Sequence, residues 1–404
     1  MTLTVPCLFG LESLVADEMR RLNLKNVRAE NGRVHCDGTM ADIARLNINL
    51  RCGARVLMEL GSFPVRDFEA LFQGVYALPW EDYIPRDGEF PVKGYSLNSQ
   101  LHSVPACQAI VKKASAKRLG EKYGLETLPE SGSRYQIQFA IIKDVATLYL
   151  DTSGEGLYKR GYRARNMGAP LRETLAAALV TLSRYRGQDP FCDPFCGSGT
   201  IPIEAALIAK NRAPGLDRSF AAQKWKNMDS KLWLEAGDEA MDKEFHGHYD
   251  IWGGDIDPRA VAIARDNARK AGVEDMIRFE VADMRDFRRD STYGQLVTNP
   301  PYGERLMEKR EAEDLYRELG QVWCRLPEGW RTLVLSGSDS EEARAVAIER
   351  LAGEEFEDAL DYIISVDIFS EGVDVPEINQ VIMLRPTESP IVFIQQLGRG
   401  LRKA

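Results

Sequence analysis

Between residues 171 and 338 the sequence alternates short apolar runs with helical patterns, and this alternation limits the chain to very few folds. The first run is DPFCDPFCGSGT, and later runs are DIWGGDIDP, MIRFEVADMRDF, GQLVTNPPYGER and WRTLVLSGSDS. Helical patterns such as RAVAIARDNARKAG lie between them. Parallel strands need long crossovers, and helices on both faces of the sheet supply them. The pattern therefore predicts an α/β, Rossmann-like domain.

Polar side chains stand at the predicted carboxyl ends of these strands. Asp193 ends the first strand before a turn that contains Gly197 and Gly199, Asp255 ends the second, and Asp283 follows the third. Glycines allow a tight turn with room for a ligand, and a strand-end carboxylate can accept hydrogen bonds from ribose hydroxyls. The turn matches neither the GxGxxG pattern nor a GxxxxGK[ST] phosphate loop. This edge of the sheet is therefore predicted to bind a nucleoside cofactor that carries an amino group.

The fourth strand ends in the most specific motif of the chain, Asn299-Pro300-Pro301-Tyr302. The Asn299 side-chain oxygen and the Pro300 carbonyl can accept both hydrogens of an exocyclic amine, and the Tyr302 ring offers a face for base stacking. Such bonds orient the nitrogen lone pair toward an electrophile. The motif predicts attack on a methyl sulfonium, in which positioning supplies most of the catalysis.

The amino-terminal part reads as a separate α+β region. Asn31-Gly32 lies between two short strand patterns, which predicts a hairpin, and Lys143-Asp144 predicts a second one. Residues 156–170 are rich in Gly and Arg and read as a linker. The polar stretch 211–248 interrupts the first crossover of the α/β domain and reads as an insertion.

Charge is unevenly distributed along the 404 residues. The net charge of −9 alone disfavours nucleic-acid binding, but residues 90–165 hold 12 Lys and Arg against 6 Asp and Glu. Such a basic segment is a candidate phosphate-binding footprint, although it can also be an ordinary solvated face.

The cysteine content and the hydropathy of the sequence predict the cellular compartment of the protein. An odd number of scattered cysteines, 7 in all, favours a reducing cytoplasm. Acidic residues near the amino terminus argue against a signal peptide, and no apolar run is long enough for a membrane span. Cys192 and Cys196 have no second Cys or His pair nearby, so no metal site is expected.

The motifs DPFCGSGT, GGDIDP, VADMRDF and NPPYGER resemble those of class I S-adenosylmethionine-dependent methyltransferases that act on base amines. Together with LYKRGYRARNMGAPLRETLAAAL and PGLDRSFAAQKW, they resemble the bacterial THUMP-domain methyltransferases that modify guanine N2 of large-subunit ribosomal RNA. The resemblance covers about residues 1–338 and is to the amino-terminal half of a bifunctional enzyme. It implies a ferredoxin-like subdomain over 1–59, a THUMP RNA-binding domain over 60–155 and the methyltransferase domain over 171–338.

The resemblance also implies roles for particular residues, with S-adenosylmethionine as the cofactor and ribosomal RNA as the partner. The residues implied to bind the cofactor are Asp193, Cys196, Gly197, Gly199, Thr200, Asp255, Asp283 and Glu173. The residues implied to hold guanine N2 are Asn299, Pro300, Pro301 and Tyr302. The basic helix suggests four phosphate contacts, Lys112, Lys113, Lys117 and Arg118. For Phe220 and Trp225, packing is favoured over a role at the base.

The last part of the chain departs from this family pattern. From about 339 to 404 it resembles the end of the second lobe of superfamily 2 helicases, with Phe369–Pro376 like the fifth motif and Gln395–Arg402 like the sixth. In that family the two arginines of the sixth motif reach ATP phosphates, yet no P-loop occurs in this sequence, so no ATP hydrolysis is expected. Two outcomes are open for the tail: the apolar runs DYIISVDIF and NQVIMLRP complete the sheet, or the tail packs poorly or docks separately.

Two other functions stay open from the sequence. An N6-adenine methyltransferase would use the same Asn-Pro-Pro-Tyr motif. The other is an RNA-binding module that the fused tail makes inactive.

Overall fold

The computed structural model describes residues 1–163, 171–301, 315, 318–322, 325–327, 329–336 and 362–365. The chain divides into two compact units. The first comprises Met1–Cys7, Val15–Leu157 and Gly215–Asp242, and the second comprises Leu8–Leu14, Tyr158–Pro214 and Lys243–Ala404.

The regular elements are numbered in chain order. The strands are β1 Thr2–Pro6, β2 Lys25–Glu30, β3 Arg33–Asp37, β4 Leu57–Pro64, β5 Val92–Leu97, β6 Ile137–Ile142, β7 Val145–Asp151, β8 Phe191–Asp193, β9 Ile251–Asp255, β10 Ile277–Val281, β11 Tyr293–Thr298, β12 Gly329–Ser336 and β13 Tyr362–Ser365. The helices are α1 Glu12–Arg21, α2 Met40–Asn49, α3 Phe68–Ala77, α4 Val104–Tyr123, α5 Glu173–Leu182, α6 Thr200–Ala209, α7 Ser230–Met241 and α8 Pro258–Lys270.

One seven-stranded sheet runs through the first unit, in the order β2-β3-β1-β4-β7-β6-β5. Strand β4 pairs with β1 on one side and with β7 on the other, so the sheet continues across the boundary predicted between residues 59 and 60. Both predicted hairpins are confirmed, β2–β3 around Asn31-Gly32 and β6–β7 around Lys143-Asp144. Alternate strand residues such as Leu3, Val34 and Leu148 are fully buried, as expected for a sheet with helices on one face.

The polar stretch read as an insertion of the α/β domain belongs in large part to the first unit. Helix α7 packs against α2, and Arg45 forms an ion pair with Glu239 at 3.0 Å. The Trp225 ring stacks on Tyr135 with centroids 5.0 Å apart, and its Nε1 donates to the Arg134 carbonyl at 2.9 Å. Packing as the role of Trp225 is thus confirmed. Its apolar ring and satisfied N–H explain why an otherwise polar segment is held there.

The second unit contains a sheet in the order β10-β9-β8-β11-β12-β13, with every pair parallel. The strand order reverses between β8 and β11. Open α/β sheets bind ligands in the crevice at such a reversal, outside the carboxyl ends of the strands. The Rossmann-like class predicted from the alternating pattern is confirmed.

The expectation that apolar runs of the tail complete the sheet is partly supported. Strand β13 lies within the apolar run DYIISVDIF and pairs with β12, as a strand completing the sheet would. The helicase-like motifs at 369–376 and 395–402 lie outside the described residues, and the fusion stays a prediction. None of the helices described here is long and apolar enough to cross a membrane.

Replacing Trp225 by Ala should destabilise the first unit, because the side chain is 3% exposed and stacked on Tyr135. We expect a loss of about 3 kcal/mol in the free energy of unfolding, measured by urea denaturation. Leu234→Ala is the matched control from the same stretch, since Leu234 is 67% exposed and should cost almost nothing. Equal losses in the two variants would show that the Trp225 contact contributes nothing.

Candidate active site

The two central strands of the second unit meet through a buried hydrogen bond. The Thr298 hydroxyl at the end of β11 donates to Asp193 Oδ1 at the end of β8, at 2.6 Å. Asp193 is 1% exposed, and its other oxygen, Oδ2, is buried with no hydrogen-bond partner within the described ranges. A buried carboxylate oxygen without a donor is costly, so this atom marks a place where a ligand donor would fit.

Burial dominates the electrostatics of Asp193. Desolvation raises the pKa of its carboxyl to about 7, the hydrogen bonds from Thr298 and the Phe195 N–H oppose that rise, and the Asp255 charge adds to it. The group therefore titrates near neutral pH, and a cationic ligand donor beside it would favour its ionised form.

The glycine turn after Asp193 is tied to the end of the next strand. The Gly197 N–H donates to Asp255 Oδ2 at 2.9 Å, and the Asp257 N–H donates to Asp255 Oδ1 at 2.9 Å. Asp257 in turn caps α8, accepting from the Arg259 N–H at 2.9 Å, as its position before a proline predicts. These bonds set the orientation of the Asp255 carboxylate, and the carboxylate retains lone pairs for ribose hydroxyls.

The two glycines of the turn have different reasons to be glycine. Gly199 has φ of +83°, and a Cβ there would lie 2.9 Å from the Ala264 Cβ. Gly197 has φ of +52°, and a Cβ there would meet nothing within 4 Å. Gly199 thus permits close packing of the turn on α8, whereas Gly197 borders open space in which a ligand could lie.

Both cysteines near the turn are buried thiols. Burial raises the pKa of Cys192 to about 12 and that of Cys196 well above its ordinary value. The Cys196 N–H donates to the Gly254 carbonyl at 2.9 Å, so this residue contributes backbone geometry and a small apolar side chain. Among the described residues, no group of three His, Cys, Asp or Glu could hold a metal ion.

Asp283 is engaged locally at the end of the third strand. It caps a short turn and forms an ion pair with Arg285 at 2.6 Å, and this hydrogen bond lowers the pKa of its carboxyl. An adenine amine at Asp283 would therefore share the carboxylate with Arg285.

The sequence analysis missed two residues at this edge. Ile256, between the two carboxylates after β9, is 66% exposed and offers an apolar surface next to Asp255. Arg163 donates to the Thr200 hydroxyl and to the Leu171 carbonyl, both at 2.8 Å, and lies 3.4 Å from the Glu173 carboxylate. Arg163 thus links two predicted cofactor residues, the buried Glu173 and Thr200. Its place in a stretch read as a linker concealed it.

The Asn-Pro-Pro-Tyr motif follows β11 directly. Asn299 Oδ1 is buried and has no hydrogen-bond partner among the described residues, and Pro300 is buried beside it. Pro301 is half-buried, and Tyr302 lies outside the described residues. Two acceptors without a donor among the described residues therefore lie at neighbouring strand ends, Asp193 Oδ2 at the end of β8 and Asn299 Oδ1 just after β11. The hydrogen bond from Thr298 to Asp193 joins these two strand ends.

Comparisons with known proteins bear on this arrangement. A family model described as "RMKL-like, methyltransferase domain" matches residues 160–356, past the predicted junction at 338. Models described as "RlmL ferredoxin-like domain" and "THUMP domain" match residues 2–57 and 65–151. The "Putative RNA methyltransferase YpsC" of Bacillus subtilis is 42% identical over 347 residues, which is 84% of this chain and 89% of that protein. The chain belongs to the RMKL-like methyltransferase family.

A longer relative of this methyltransferase is the "Ribosomal RNA large subunit methyltransferase K/L" of Magnetococcus marinus. It is 34% identical over 341 residues, which is 81% of this chain and 47% of that protein. The chain thus spans about half the length of the K/L relatives it matches.

Solved structures agree with the fold. The "predicted N6-adenine-specific DNA methylase" of Listeria monocytogenes is 45% identical, covers 85% of this chain and 90% of its own, and gives a TM-score of 0.80. SMU.472, solved in complex with SAH, is 41% identical, covers 82% of this chain and 88% of its own, and gives a TM-score of 0.78. The predicted ferredoxin-like and THUMP region before a class I methyltransferase domain is confirmed.

The four cations predicted to contact RNA differ in their surroundings in this methyltransferase. Lys112 and Arg118 form ion pairs, at 2.7 Å with Glu130 and at 2.5 Å with Glu81. Lys113 and Lys117 are exposed on α4, with each ammonium about 6 Å from the Phe72 ring centre, and Lys117 also lies 3.9 Å from the Glu121 carboxylate. Phosphate binding by any of the four stays a prediction, and the last two are the more accessible.

The contrast between the glycines gives a stability test. Gly197→Ala should lower the free energy of unfolding by about 1 kcal/mol, the cost of a left-handed backbone. Gly199→Ala should cost about 2–3 kcal/mol more, because its Cβ would also crowd Ala264. Chemical denaturation of both variants measures this difference, and similar losses would show that Gly199 is not tightly packed.

Proposed function

We propose that this protein transfers the methyl group of S-adenosylmethionine to the N2 amine of a guanine in large-subunit ribosomal RNA. The observation that carries the proposal is the buried Asn299 oxygen, which directly follows β11 and has no hydrogen-bond partner in the part of the chain that the structure describes. Guanine, adenine and cytosine present an exocyclic amine, and such an amine would supply the missing donor.

S-adenosylmethionine is the cofactor of this family, and the residues at the switch point fit it. When bound, it supplies an electrophilic methyl group on a sulfonium. Asp193 Oδ2 would accept from the α-ammonium of its methionine part, and Asp255 would hold the ribose hydroxyls. Ile256 would pack on the adenine, and the open space beside Gly197 would admit the chain between them.

The residues of this site favour the reaction by holding the amine rather than by taking part covalently. Asn299 Oδ1 and the Pro300 carbonyl would accept the two amine hydrogens, which raises the electron density on nitrogen and directs its lone pair. A new C–N bond forms as the S–C bond breaks. S-adenosylhomocysteine then leaves, and the extra proton on nitrogen goes to solvent. Orientation of this kind can supply much of the rate enhancement.

The choice of RNA and of guanine has separate support. A THUMP domain and the names of YpsC and of the K/L relative point to RNA, and the K/L name specifies the large ribosomal subunit. The choice of the guanine N2 amine as the methylated group rests on the family resemblance of the motifs. On this proposal Lys113 and Lys117 would contact phosphates.

The second candidate is an N6-adenine methyltransferase. The Listeria relative carries that name, and Asn-Pro-Pro-Tyr can hold an adenine amine equally well. An RNA-binding module without activity is the third, should the tail abolish turnover.

Incubation of the protein with S-adenosylmethionine and unmodified large-subunit rRNA, followed by nucleoside mass spectrometry, tests the assignment. We expect N2-methylguanosine. N6-methyladenosine would replace the proposal with the second candidate, and binding of RNA and cofactor without any product would favour the third.

Asn299→Ala should lower kcat by at least a hundredfold and leave the dissociation constant for S-adenosylhomocysteine within about threefold, because the side chain holds only the amine. Single-turnover methylation and calorimetry measure the two quantities. A large loss of cofactor affinity would instead assign Asn299 a role in building the cofactor site.

Cofactor affinity should depend on pH through Asp193, whose carboxyl has a pKa of about 7 in the free protein. The cofactor ammonium favours the ionised carboxylate, so binding of S-adenosylhomocysteine should weaken about tenfold per pH unit below 7 and level off above it. Calorimetry between pH 5.5 and 8.5 measures this profile, and Asp193→Asn should bind weakly at every pH.

The same titration affects stability with the opposite trend. Because the folded-state pKa is raised, its stabilising contribution is present at low pH and is lost as the pH rises toward 7.

For the binding experiment, a wild-type pH profile of cofactor affinity identical in shape to that of Asp193→Asn would exclude Asp193 as the titrating contact.

A further inference from the structure

The seven-stranded sheet in the first unit has two unlike faces. Directly paired residues on neighbouring strands share a face, and so do residues two apart on one strand. The register pairs Arg28 with His35, which lies two residues from Arg33, and pairs Lys93 with Gln138 beside Tyr149. Continuing the register across β1, β4 and β7 places all of these residues on the face opposite the buried Leu3 and Val34.

The middle of this face is buried, because Leu57, Ala140 and Tyr149 form a cluster there. Its exposed side chains lie on the outer strands, with Arg28 on β2 and Lys93 and Tyr95 on β5.

Contacts made by Arg33 show that this face is concave. Its guanidinium donates to the Tyr149 hydroxyl at 3.5 Å and to the Tyr95 hydroxyl at 3.4 Å. Arg33 is on β3 and Tyr95 is on β5, five steps apart in the sheet order. On a flat sheet five steps span about 24 Å, which is further than these two side chains reach together. The sheet must therefore curl toward this face.

The cations on this face differ from most of those on helix α4. Among the described residues, Arg28, Arg33 and Lys93 have no carboxylate within ion-pair distance, and on α4 the same holds only for Lys113. The other cations of α4 each have a carboxylate partner, namely Lys112, Lys117, Arg118 and Lys122. Cations without a carboxylate partner need give up no ion pair to bind a phosphate.

The same register places three carboxylates on this face, Glu30, Asp37 and Glu59. Glu30 lies 3.4 Å from His35. Burial raises the pKa of Glu59, while the charges of His35, Arg33 and Arg28 act to lower it. The case for phosphate binding therefore rests on the lack of close ion pairs at Arg28, Arg33 and Lys93 among the described residues, and not on an excess of positive charge.

Exposed aromatic and apolar groups lie beside these cations. Tyr95 is 43% exposed, and Leu97, two residues further along β5, is 53% exposed. Val145 is 41% exposed and is paired, through Ile142 of β6, in the same row as Leu97. Aromatic groups on an open sheet can stack on unpaired bases, while cations at the same surface contact the backbone.

We propose that this concave sheet face, defined by Arg28, Arg33, Lys93 and Tyr95, binds single-stranded or looped RNA. The three cations contact phosphates and the Tyr95 ring stacks on a base. The surface is distinct from helix α4 and joins the ferredoxin-like strands to the THUMP strands. The proposal rests on the proposed function only in taking the nucleic acid to be RNA.

The test compares RNA affinity for the wild-type chain and the triple variant Arg28→Gln/Arg33→Gln/Lys93→Gln. Fluorescence anisotropy with a labelled 12-nucleotide single-stranded RNA and filter binding with unmodified large-subunit rRNA are measured over a range of salt concentrations. We expect at least tenfold weaker binding, and a slope of log affinity against log salt that is shallower by about 2, since three phosphate contacts are lost.

A second triple variant provides the matched control. Arg20→Gln/Lys122→Gln/Lys226→Gln removes the same charge from the first unit, but each of these cations has a carboxylate partner. Its affinity should fall less than threefold. Equal losses in the two triple variants would reduce the effect to net charge and overturn the proposal.

Stacking is tested at Tyr95. Tyr95→Ala should weaken binding about tenfold, whereas Tyr95→Phe keeps the ring and should stay within about threefold of the wild type. Thermal unfolding of each variant checks that the sheet is intact. Wild-type affinity in both the triple variant and Tyr95→Ala would overturn the proposal, while a wild-type chain that binds neither RNA would count against the proposed function as well.

Discussion

The hydrogen bond between the Thr298 hydroxyl and the Asp193 carboxylate is the interaction on which the rest of the site depends. It joins the ends of β11 and β8 where the strand order reverses, and it leaves one carboxylate oxygen free in a buried position. The glycine turn follows from there, and its Gly197 N–H reaches Asp255 on the next strand. A short strand such as β8, of 3 residues, can hold this geometry because it is paired on both sides.

The sequence was sufficient to predict the parts of this site that follow from strand period and glycine chemistry. Asp193 and Asp255 were expected at the ends of parallel strands and Gly199 in the turn that follows the first of them, and the structure places all three there. Arg163 was not expected, because an arginine in a stretch without periodicity carries no local signal of its partners. Its partners Thr200 and Glu173 are distant in sequence, so only the packed structure shows the connection.

The basic segment illustrates a second limit of sequence reasoning. Composition shows where cations occur but not whether carboxylates have already paired with them. Glu130 and Glu81 form ion pairs with Lys112 and Arg118 on the helix that looks most basic. Arg33, in a chain region of mixed charge, donates to two tyrosine hydroxyls and has no ion pair among the described residues. Whether a cation is available to bind phosphate depends on whether a carboxylate already pairs with it, and that pairing is set by the tertiary structure.

The segment Gly215–Asp242 has a consequence for how this protein is made. Part of the first unit, including the Trp225 ring that stacks on Tyr135, is encoded after helix α6 of the second. A ribosome that has released only residues up to 157 therefore exposes a chain that lacks a piece of its own core. The amino-terminal unit can reach its final packing only once Tyr158–Pro214 of the second unit have also emerged. Dividing the gene after the codon for residue 157 would put Tyr135 and its stacking partner Trp225 on separate chains.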